Sequence, residues 1–201
     1  MSQFQVALST RLTEACQGRA PGEPLKVFAQ DESRVGLLPM VRRRITACGV
    51  QPIATVNHTF DSFYLYGAVA PATGESFFLE LPYLNSAAFQ LWLDDFATTF
   101  ADSWNVLVLD NGAGHKAKAL RWPSNVVPVF LPPYSPELNP IERLWRDLKD
   151  QLAAISPKTL AELSDAVCSI IQHYANTTLQ SLTGFTYFIQ AVETAQKVLY
   201  G

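Results

Sequence analysis

The sequence predicts a mixed α/β protein in which helices pack on a central sheet. Three observations lead to this fold class. Residues 62–81 have the pattern of a β-hairpin, with aromatic and β-branched runs on either side of the turn PATGE. The continuous apolar run NVLVLD, residues 105–110, is typical of a strand that is covered on both faces. NPIERLWRDLKDQLAA, residues 139–154, has the apolar period of an amphipathic helix.

The elements before the hairpin are a helix and two strands. A loose apolar face predicts a short helix over roughly residues 2–18, and the loop GRAPGEP separates it from the strand LKVFAQD at 25–31. A charged loop follows this strand, and QPIATVN at 51–57 is a second, shorter strand. This assignment places Asp31 at the end of the first strand.

Helices and strands alternate after the hairpin. The period of SAAFQLWLDDFATTFAD predicts a helix over 86–102, and the turn Asp-Asn-Gly ends the apolar strand at 110–112. We expect HKAKAL to form one or two helical turns and NVVPVFLPP to form the next strand. Two more helices are predicted over 157–175 and 185–200.

Composition indicates one ordinary globular domain and excludes several kinds of site. The 201 residues are 48% apolar and 16% charged, and no apolar run is long enough to cross a membrane. Three widely spaced cysteines and three scattered histidines argue against a disulfide framework or a zinc site. The N-terminus lacks the pattern of a signal peptide, so we expect a cytoplasmic protein. The net charge of −3 argues against a broad basic surface for nucleic acid.

Two aspartates, Asp31 and Asp110, follow apolar strands. Side chains at strand ends point into the crevice that the loops of an open sheet leave, and carboxylates suit hard divalent cations. Either aspartate alone is explained as well by a turn-capping role. The pair is more informative than its members.

Glu142 is the third candidate acid. Asn139 is a good helix N-cap and Pro140 suits the first helical position, so Glu142 has the placement of a capping-box acid that accepts the backbone N–H of Asn139. The helical period also brings Glu142, Arg146 and Lys149 together beside the apolar stripe. That placement fits a surface ion pair between Glu142 and Arg146, and it fits equally an acid at the rim of the sheet with cations nearby for phosphates.

Three segments, AQDESRVGLLP, VLDNGAGHKAK and LPPYSPELNPIERLWRDLK, resemble the motif blocks of mariner-type bacterial insertion-sequence transposases, which are DDE enzymes. The resemblance runs from about residue 25 to about 175. It implies an RNase H-like fold with a central mixed five-stranded sheet flanked by helices. It also implies that Asp31, Asp110 and Glu142 are the catalytic acids and hold two Mg²⁺ ions, for which Mn²⁺ can substitute. The implied activity is DNA strand cleavage followed by strand transfer in cut-and-paste transposition.

Secondary candidates come from the basic residues of the sequence, of which residues 42–44 are the densest run and have a solvated charged face as their ordinary alternative. Seven residues are candidates for contact with DNA, namely Arg42, Arg43, Arg44, His115, Lys116, Arg146 and Lys149. His115 has two other interpretations, which are orientation of an acid and simple packing of the loop. Glu32 is interpreted as structural or as a support to the site. We expect an N-terminal helix and linker at 1–24, the catalytic domain at 25–175, and a C-terminal helix at 176–201 packed on the same domain.

Transposases of this type usually carry an N-terminal pair of helix-turn-helix modules. Because only about 24 residues precede the first predicted strand, we expect either that the sequence is a truncated piece of such a transposase or that the helix-turn-helix part is a separate or frameshift-fused chain. Transposon ends and target DNA are the expected partners, a homodimer is an option, and the expected location is the nucleoid. Two alternatives stay open: a host nuclease of the same fold without strand transfer, and a non-catalytic remnant that binds DNA or a partner.

Overall fold

The computed structural model describes residues 3–20, 22–37, 61–112, 114, 115, 117, 119–155 and 157–200. In this part of the chain five strands form one sheet in the order β3-β2-β1-β4-β5. The strands are β1 (Leu25–Gly36), β2 (Ser62–Val69), β3 (Ser76–Leu81), β4 (Trp104–Leu109) and β5 (Val126–Phe130). The helices are α1 (Gln3–Ala15), α2 (Ser86–Thr99), α3 (Ile141–Ile155), α4 (Leu160–His173), α5 (Asn176–Thr183) and α6 (Thr186–Tyr200).

The sheet is mixed, as the sequence predicts. β1, β2 and β3 form an antiparallel meander, and β1 pairs in parallel with β4, which pairs in parallel with β5. The parallel pairing of β1 with β4 ends at Ala29 and Val108, whereas the antiparallel pairing of β1 with β2 continues to Gly36. β1 therefore extends beyond the end of its neighbour β4, which leaves a crevice there.

Helices cover both faces of the sheet because the strands are apolar on both sides. One face packs on α2, whose aromatic stripe of Phe89, Trp92 and Phe96 is fully or almost fully buried. The other face packs on α1, α3, α4, α5 and α6 in a second apolar cluster. Successive residues of β1 point to opposite faces, so Phe28 joins the α2 cluster and Ala29 joins the other.

Three sequence predictions need correction or qualification. β1 does not end at Asp31, because β2 supplies an antiparallel partner for five further residues. The region 157–200 contains three helices and not two, since Asn176–Thr183 forms α5 between α4 and α6. The described residues of HKAKAL form no helix. The predicted strand at 51–57 lies outside the described residues.

The N-terminal and C-terminal helices pack together on the sheet. Leu8 and Leu12 of α1 share the apolar cluster with Phe188 and Val192 of α6, and the side chains of Gln5 and Gln190 are hydrogen-bonded at 2.8 Å. Both ends of the described chain therefore contribute to the core of the sheet domain. Within the ranges that the structure covers, no helix is long and apolar enough to span a bilayer.

Candidate active site

Asp31 lies on β1 at the crevice where β4 ends. Its position is two residues beyond the last parallel pair, and it is paired across the antiparallel ladder with Gly67 of β2. Asp110 lies two residues beyond Val108, which is the β4 member of the last parallel pair. Asp31 therefore lies beyond the end of β4 as the strand-end prediction places it, although β1 itself continues to Gly36.

Trp145 of α3 contacts Asp31 over the surface of Gly67. The indole Nε1–H donates a hydrogen bond to Oδ2 of Asp31 at 3.0 Å, and the ring is almost fully buried. A Cβ atom at position 67 would stand 2.5 Å from Cη2 of Trp145. A glycine within a strand often marks such a close approach, and here it makes room for the indole beside the carboxylate.

Asn139 ties the start of α3 to the same strand. Its Nδ2 donates to the carbonyl of Gln30 at 2.8 Å, and its Oδ1 accepts the N–H of Ile141 at 3.4 Å. The backbone N–H of Asn139 donates to the carbonyl of Pro136, so the capping-box bond to Glu142 is not what the structure shows. Asn139 and Trp145 thereby fasten α3 to β1 three residues before and three residues after Glu142.

The fastening of α3 places Glu142 close enough to Asp31 for the two carboxylates to repel each other. Burial, followed by the negative charges of Glu32 and Glu142, raises the pKa of Asp31 to about 7, although hydrogen bonds from the Glu32 amide and from Trp145 oppose the rise. Glu142 itself is exposed, and among the described residues it forms no ion pair with Arg146 within 4 Å. The ion-pair reading of Glu142 therefore does not hold.

Asp110 begins the turn after β4 and is directed at His115. Its Oδ1 accepts the backbone N–H of Gly112 at 2.8 Å and contacts Nδ1 of His115 at 2.9 Å. The Asp110 side chain is 55% exposed, whereas His115 is 6% exposed. The sequence correctly predicts that a turn follows the strand, but the partner of the acid depends on the folded loop.

His115 is a buried residue with carboxylates on both sides. Nε2 lies 2.9 Å from Oε1 of Glu32, and the ring packs at 4.6 Å on Phe89 of α2. Burial opposes the charged imidazole, but the hydrogen bonds and negative charges of Asp110 and Glu32 dominate and raise its pKa to about 10. This placement favours orientation of an acid over the predicted contact with DNA, because both ring nitrogens are engaged inside the protein.

Arg146 and Lys149 border Glu142. Together with Trp145 and Asp150 these residues line a shallow groove of ≈ 400 Å³ on α3. Arg146 is exposed and Lys149 is half-buried, so both basic groups lie beside the acid as the helical period predicts. Four other candidates for DNA contact, Arg42, Arg43, Arg44 and Lys116, lie outside the described residues.

The structure thus brings Asp31 and Glu142 together and pairs Asp110 with His115. Over the described residues, no group of three or more His, Cys, Asp or Glu side chains is arranged to hold a metal ion. The hydrogen bond of Trp145 and the contact of Glu32 with His115 were not predicted. The signals that could have indicated the Trp145 hydrogen bond are the i,i+3 spacing of Asn139, Glu142 and Trp145 and the glycine within β2.

Comparisons with known proteins identify the family of the chain. The family described as DDE superfamily endonuclease matches residues 26–164. An uncharacterized protein y4pE/y4sA of Sinorhizobium fredii (strain NBRC 101917 / NGR234) is 40% identical over 88 residues, which are 43% of this chain and 65% of that protein.

The solved structures that resemble the chain include complexes of the Mos1 transposase. The Mos1 strand transfer complex matches with a TM-score of 0.65 at 13% identity, over 98% of this chain and 63% of that one. Mariner Mos1 paired-end complexes with Mn and with Mg match with TM-scores of 0.63 and 0.62 at 14% identity, over 98% of this chain and 62% and 61% of theirs. The chain spans less than two thirds of the length of these relatives. The likeness in structure shows an RNase H-like fold, and the family match shows that the chain belongs to the DDE superfamily endonucleases.

Proposed function

We propose that this chain is the catalytic domain of a cut-and-paste DNA transposase, which cleaves DNA strands and joins the freed 3′ end to target DNA. The observation that carries the proposal is the position of Asp31 beside Glu142, held by Trp145 at the crevice where β4 ends. Asp110 follows β4 at the same edge. The Mos1 complexes with a similar fold, one of them a strand transfer complex, support strand transfer as the second step.

The donor set fits hard divalent cations. Asp31 and Glu142 offer carboxylate oxygens, and the pKa of Asp31 is raised first by burial and then by the negative charges of Glu32 and Glu142 that crowd it. A cation relieves such crowding, because it replaces the repulsion between carboxylates with attraction. We propose that Asp31, Asp110 and Glu142 hold two Mg²⁺ ions, with Mn²⁺ as a substitute, in line with the Mos1 complexes with Mn and Mg.

When bound, such ions activate the attacking oxygen and stabilise the leaving oxygen of the phosphodiester. The chain itself supplies the ligands and fixes their orientation. Trp145 holds one oxygen of Asp31, and Asn139 fixes the helix that presents Glu142. Arg146 and Lys149 border the acid and are proposed to bind DNA phosphates, as are Arg42, Arg43, Arg44 and Lys116.

The partners proposed for the whole protein are transposon ends and target DNA. We further propose a separate or frameshift-fused helix-turn-helix part that reads the ends, assembly as a homodimer, and action at the nucleoid. The net charge of −3 supports the need for a second DNA-binding part, since a domain of this charge lacks a broad basic surface.

The test is a pair of DNA assays on the purified chain with Mg²⁺ or Mn²⁺. Nicking of a supercoiled plasmid measures cleavage, and joining of a labelled oligonucleotide with a free 3′-hydroxyl to a plasmid measures strand transfer. We expect both activities in the wild type and neither in Asp110→Asn or Glu142→Gln. The matched control is Asp102→Asn, at an exposed acid outside the site.

The outcomes separate the alternatives. Equal nicking by the wild type and by Asp110→Asn would indicate a contaminating nuclease and contradict the assigned site. Nicking without strand transfer would favour a nuclease of the same fold. Absence of Mn²⁺ binding together with absence of nicking would favour a non-catalytic domain.

A further inference from the structure

Glu32 is a buried acid on the face of β1 opposite to Asp31. Its side chain is 9% exposed, and its Oε1 accepts a hydrogen bond from Nε2 of Gln30 at 2.9 Å. Adjacent strand residues point to opposite faces, so Glu32 lies on the α2 side while Asp31 contacts α3. A buried carboxylate is costly to desolvate unless donors satisfy it, and the second contact of Oε1 is His115 at 2.9 Å.

His115 connects Glu32 to Asp110 through its two ring nitrogens. Nε2 faces Oε1 of Glu32 and Nδ1 faces Oδ1 of Asp110, each at 2.9 Å. An imidazole with a carboxylate on each nitrogen has one orientation that satisfies both, and packing of the ring on Phe89 restricts it further. The histidine is therefore rigidly placed although it belongs to a loop.

Backbone hydrogen bonds in the turn after β4 bring the side chains of Asp110 and His115 together. The backbone N–H of Gly112 donates to Oδ1 of Asp110, and the N–H of His115 donates to the carbonyl of Gly112. A Cβ atom at position 112 would stand 2.9 Å from Oδ1 of Asp110 and 3.2 Å from Nδ1 of His115. Glycine at this position lets the carboxylate and the imidazole meet.

We propose that Glu32 and His115 form a hydrogen-bonded relay that fixes the orientation of the Asp110 carboxylate, so that both are positioning residues for the metal-binding acid. This inference rests on the proposed function. Glu32 is then a fourth acid of the site, which acts through His115. The relay runs from the protein interior, where Glu32 is buried, to the half-exposed Asp110 at the crevice.

The physical reason for such a relay is the flexibility of an exposed carboxylate. Asp110 follows the last strand residue, so the sheet does not set its side-chain rotamer. Partners behind a ligand orient it, and their removal typically lowers metal affinity about 10–100-fold. If Glu32 and His115 serve only in packing, their substitution lowers stability. The variants that stay folded then keep the metal affinity of the wild type.

The test measures Mn²⁺ affinity of the free chain by electron paramagnetic resonance, with thermal unfolding as the check of folding. The variants are His115→Gln, Glu32→Gln and Glu32→Ala. Glu32→Gln keeps an acceptor for Nε2–H, whereas Glu32→Ala removes it. The matched controls are His173→Gln and Glu80→Gln, at an exposed histidine and at an exposed strand acid outside the site.

We expect the Mn²⁺ dissociation constant to rise about tenfold or more in His115→Gln and Glu32→Ala, less in Glu32→Gln, and not in the controls. The double variant His115→Gln/Glu32→Ala should be no weaker than His115→Gln, because both changes interrupt one path. In ¹⁵N-histidine-labelled wild type, both ring N–H protons of His115 should resist exchange with water, and Glu32→Ala should expose the Nε2 proton. That readout requires neither metal nor DNA.

Two failures are distinguishable. Wild-type Mn²⁺ affinity in folded His115→Gln and Glu32→Ala, with wild-type nicking intact, would overturn the relay and leave the proposed function standing. A wild type that neither binds Mn²⁺ nor nicks DNA would overturn the proposed function and the relay's role with it.

Discussion

The acids on the two faces of β1 have different partners. On the α3 side Asp31 lies beside Glu142, and burial, followed by the negative charges of Glu32 and Glu142, raises the pKa of Asp31 to about 7. On the α2 side Glu32 and Asp110 are joined by His115, whose pKa rises to about 10. Asp31 thus has a second carboxylate as its neighbour, whereas the imidazole between Glu32 and Asp110 offsets part of their negative charge. The difference shows that an acid on one face of the strand lies buried beside another carboxylate, whereas the acids on the other face share a hydrogen-bonded imidazole.

The largest effect is expected from Asp31→Asn, which removes the charge of the acid beside Glu142. Loss of a metal-binding carboxylate should lower nicking at least about 100-fold, the equivalent of roughly 3 kcal/mol. The same change should raise stability at pH 8, because the folded state then no longer holds an ionised, crowded carboxylate.

The sign of that stability change follows from the pKa. The folded pKa of about 7 exceeds the unfolded value, so ionisation of Asp31 destabilises the wild type progressively as pH rises from about 4 to 7. Urea unfolding should show Asp31→Asn more stable by about 1–2 kcal/mol at pH 8, with the gap closing near pH 4. A constant gap across this range would contradict the raised pKa.

Gly67→Ala tests whether the indole must lie over β2. The added methyl group would meet the Trp145 ring and Phe78 at 2.5 and 2.8 Å, so one of them must move. Overpacking of this kind costs about 1–3 kcal/mol, measured by denaturant unfolding, and we expect nicking to fall as well. Gly114→Ala is the control for the unfolding measurement, because a Cβ there meets no atom within 4 Å.

Trp145→Phe isolates the hydrogen bond to Asp31 from the packing of the ring. The phenyl ring keeps the apolar contact but lacks the Nε1–H donor, so we expect Mn²⁺ affinity and nicking to fall about tenfold. Trp104→Phe is a matched control, since it also loses an indole donor, to the carbonyl of Ala15, away from the site. Equal effects of the two changes would assign the loss to packing alone.

The smallest effect is expected from substitution of His115, on the α2 side of β1. A histidine whose folded pKa is raised stabilises the protein fully below its unfolded pKa of about 6.5 and loses that contribution as pH rises through about 10. We expect the stability difference between wild type and His115→Gln to shrink by about 1 kcal/mol between pH 7 and pH 10. An unchanged difference would show that the charged imidazole contributes little to folding.

Much of this protein could be predicted from the sequence, because the signals are local. Periodicity and turn residues predicted the hairpin, the helix that became α2, the apolar β4 and the amphipathic α3, and the motif blocks pointed to the RNase H-like fold and to the family. The order of the acids along the chain and their place near strand ends are also local properties. The extent of β1 is not a local property, because its last residues form a strand only through their pairing with β2.

The tertiary structure alone decided how the acids are partnered. Glu142 had a capping role and an ion pair available within its own helix, and neither is formed because Asn139 and Trp145 join α3 to β1, more than a hundred residues away in sequence. His115 lies in a loop, and only the fold brings it into contact with Phe89 and Glu32. The physical reason is that hydrogen-bond partners and burial set a carboxylate's charge state, and the fold brings both from distant parts of the chain.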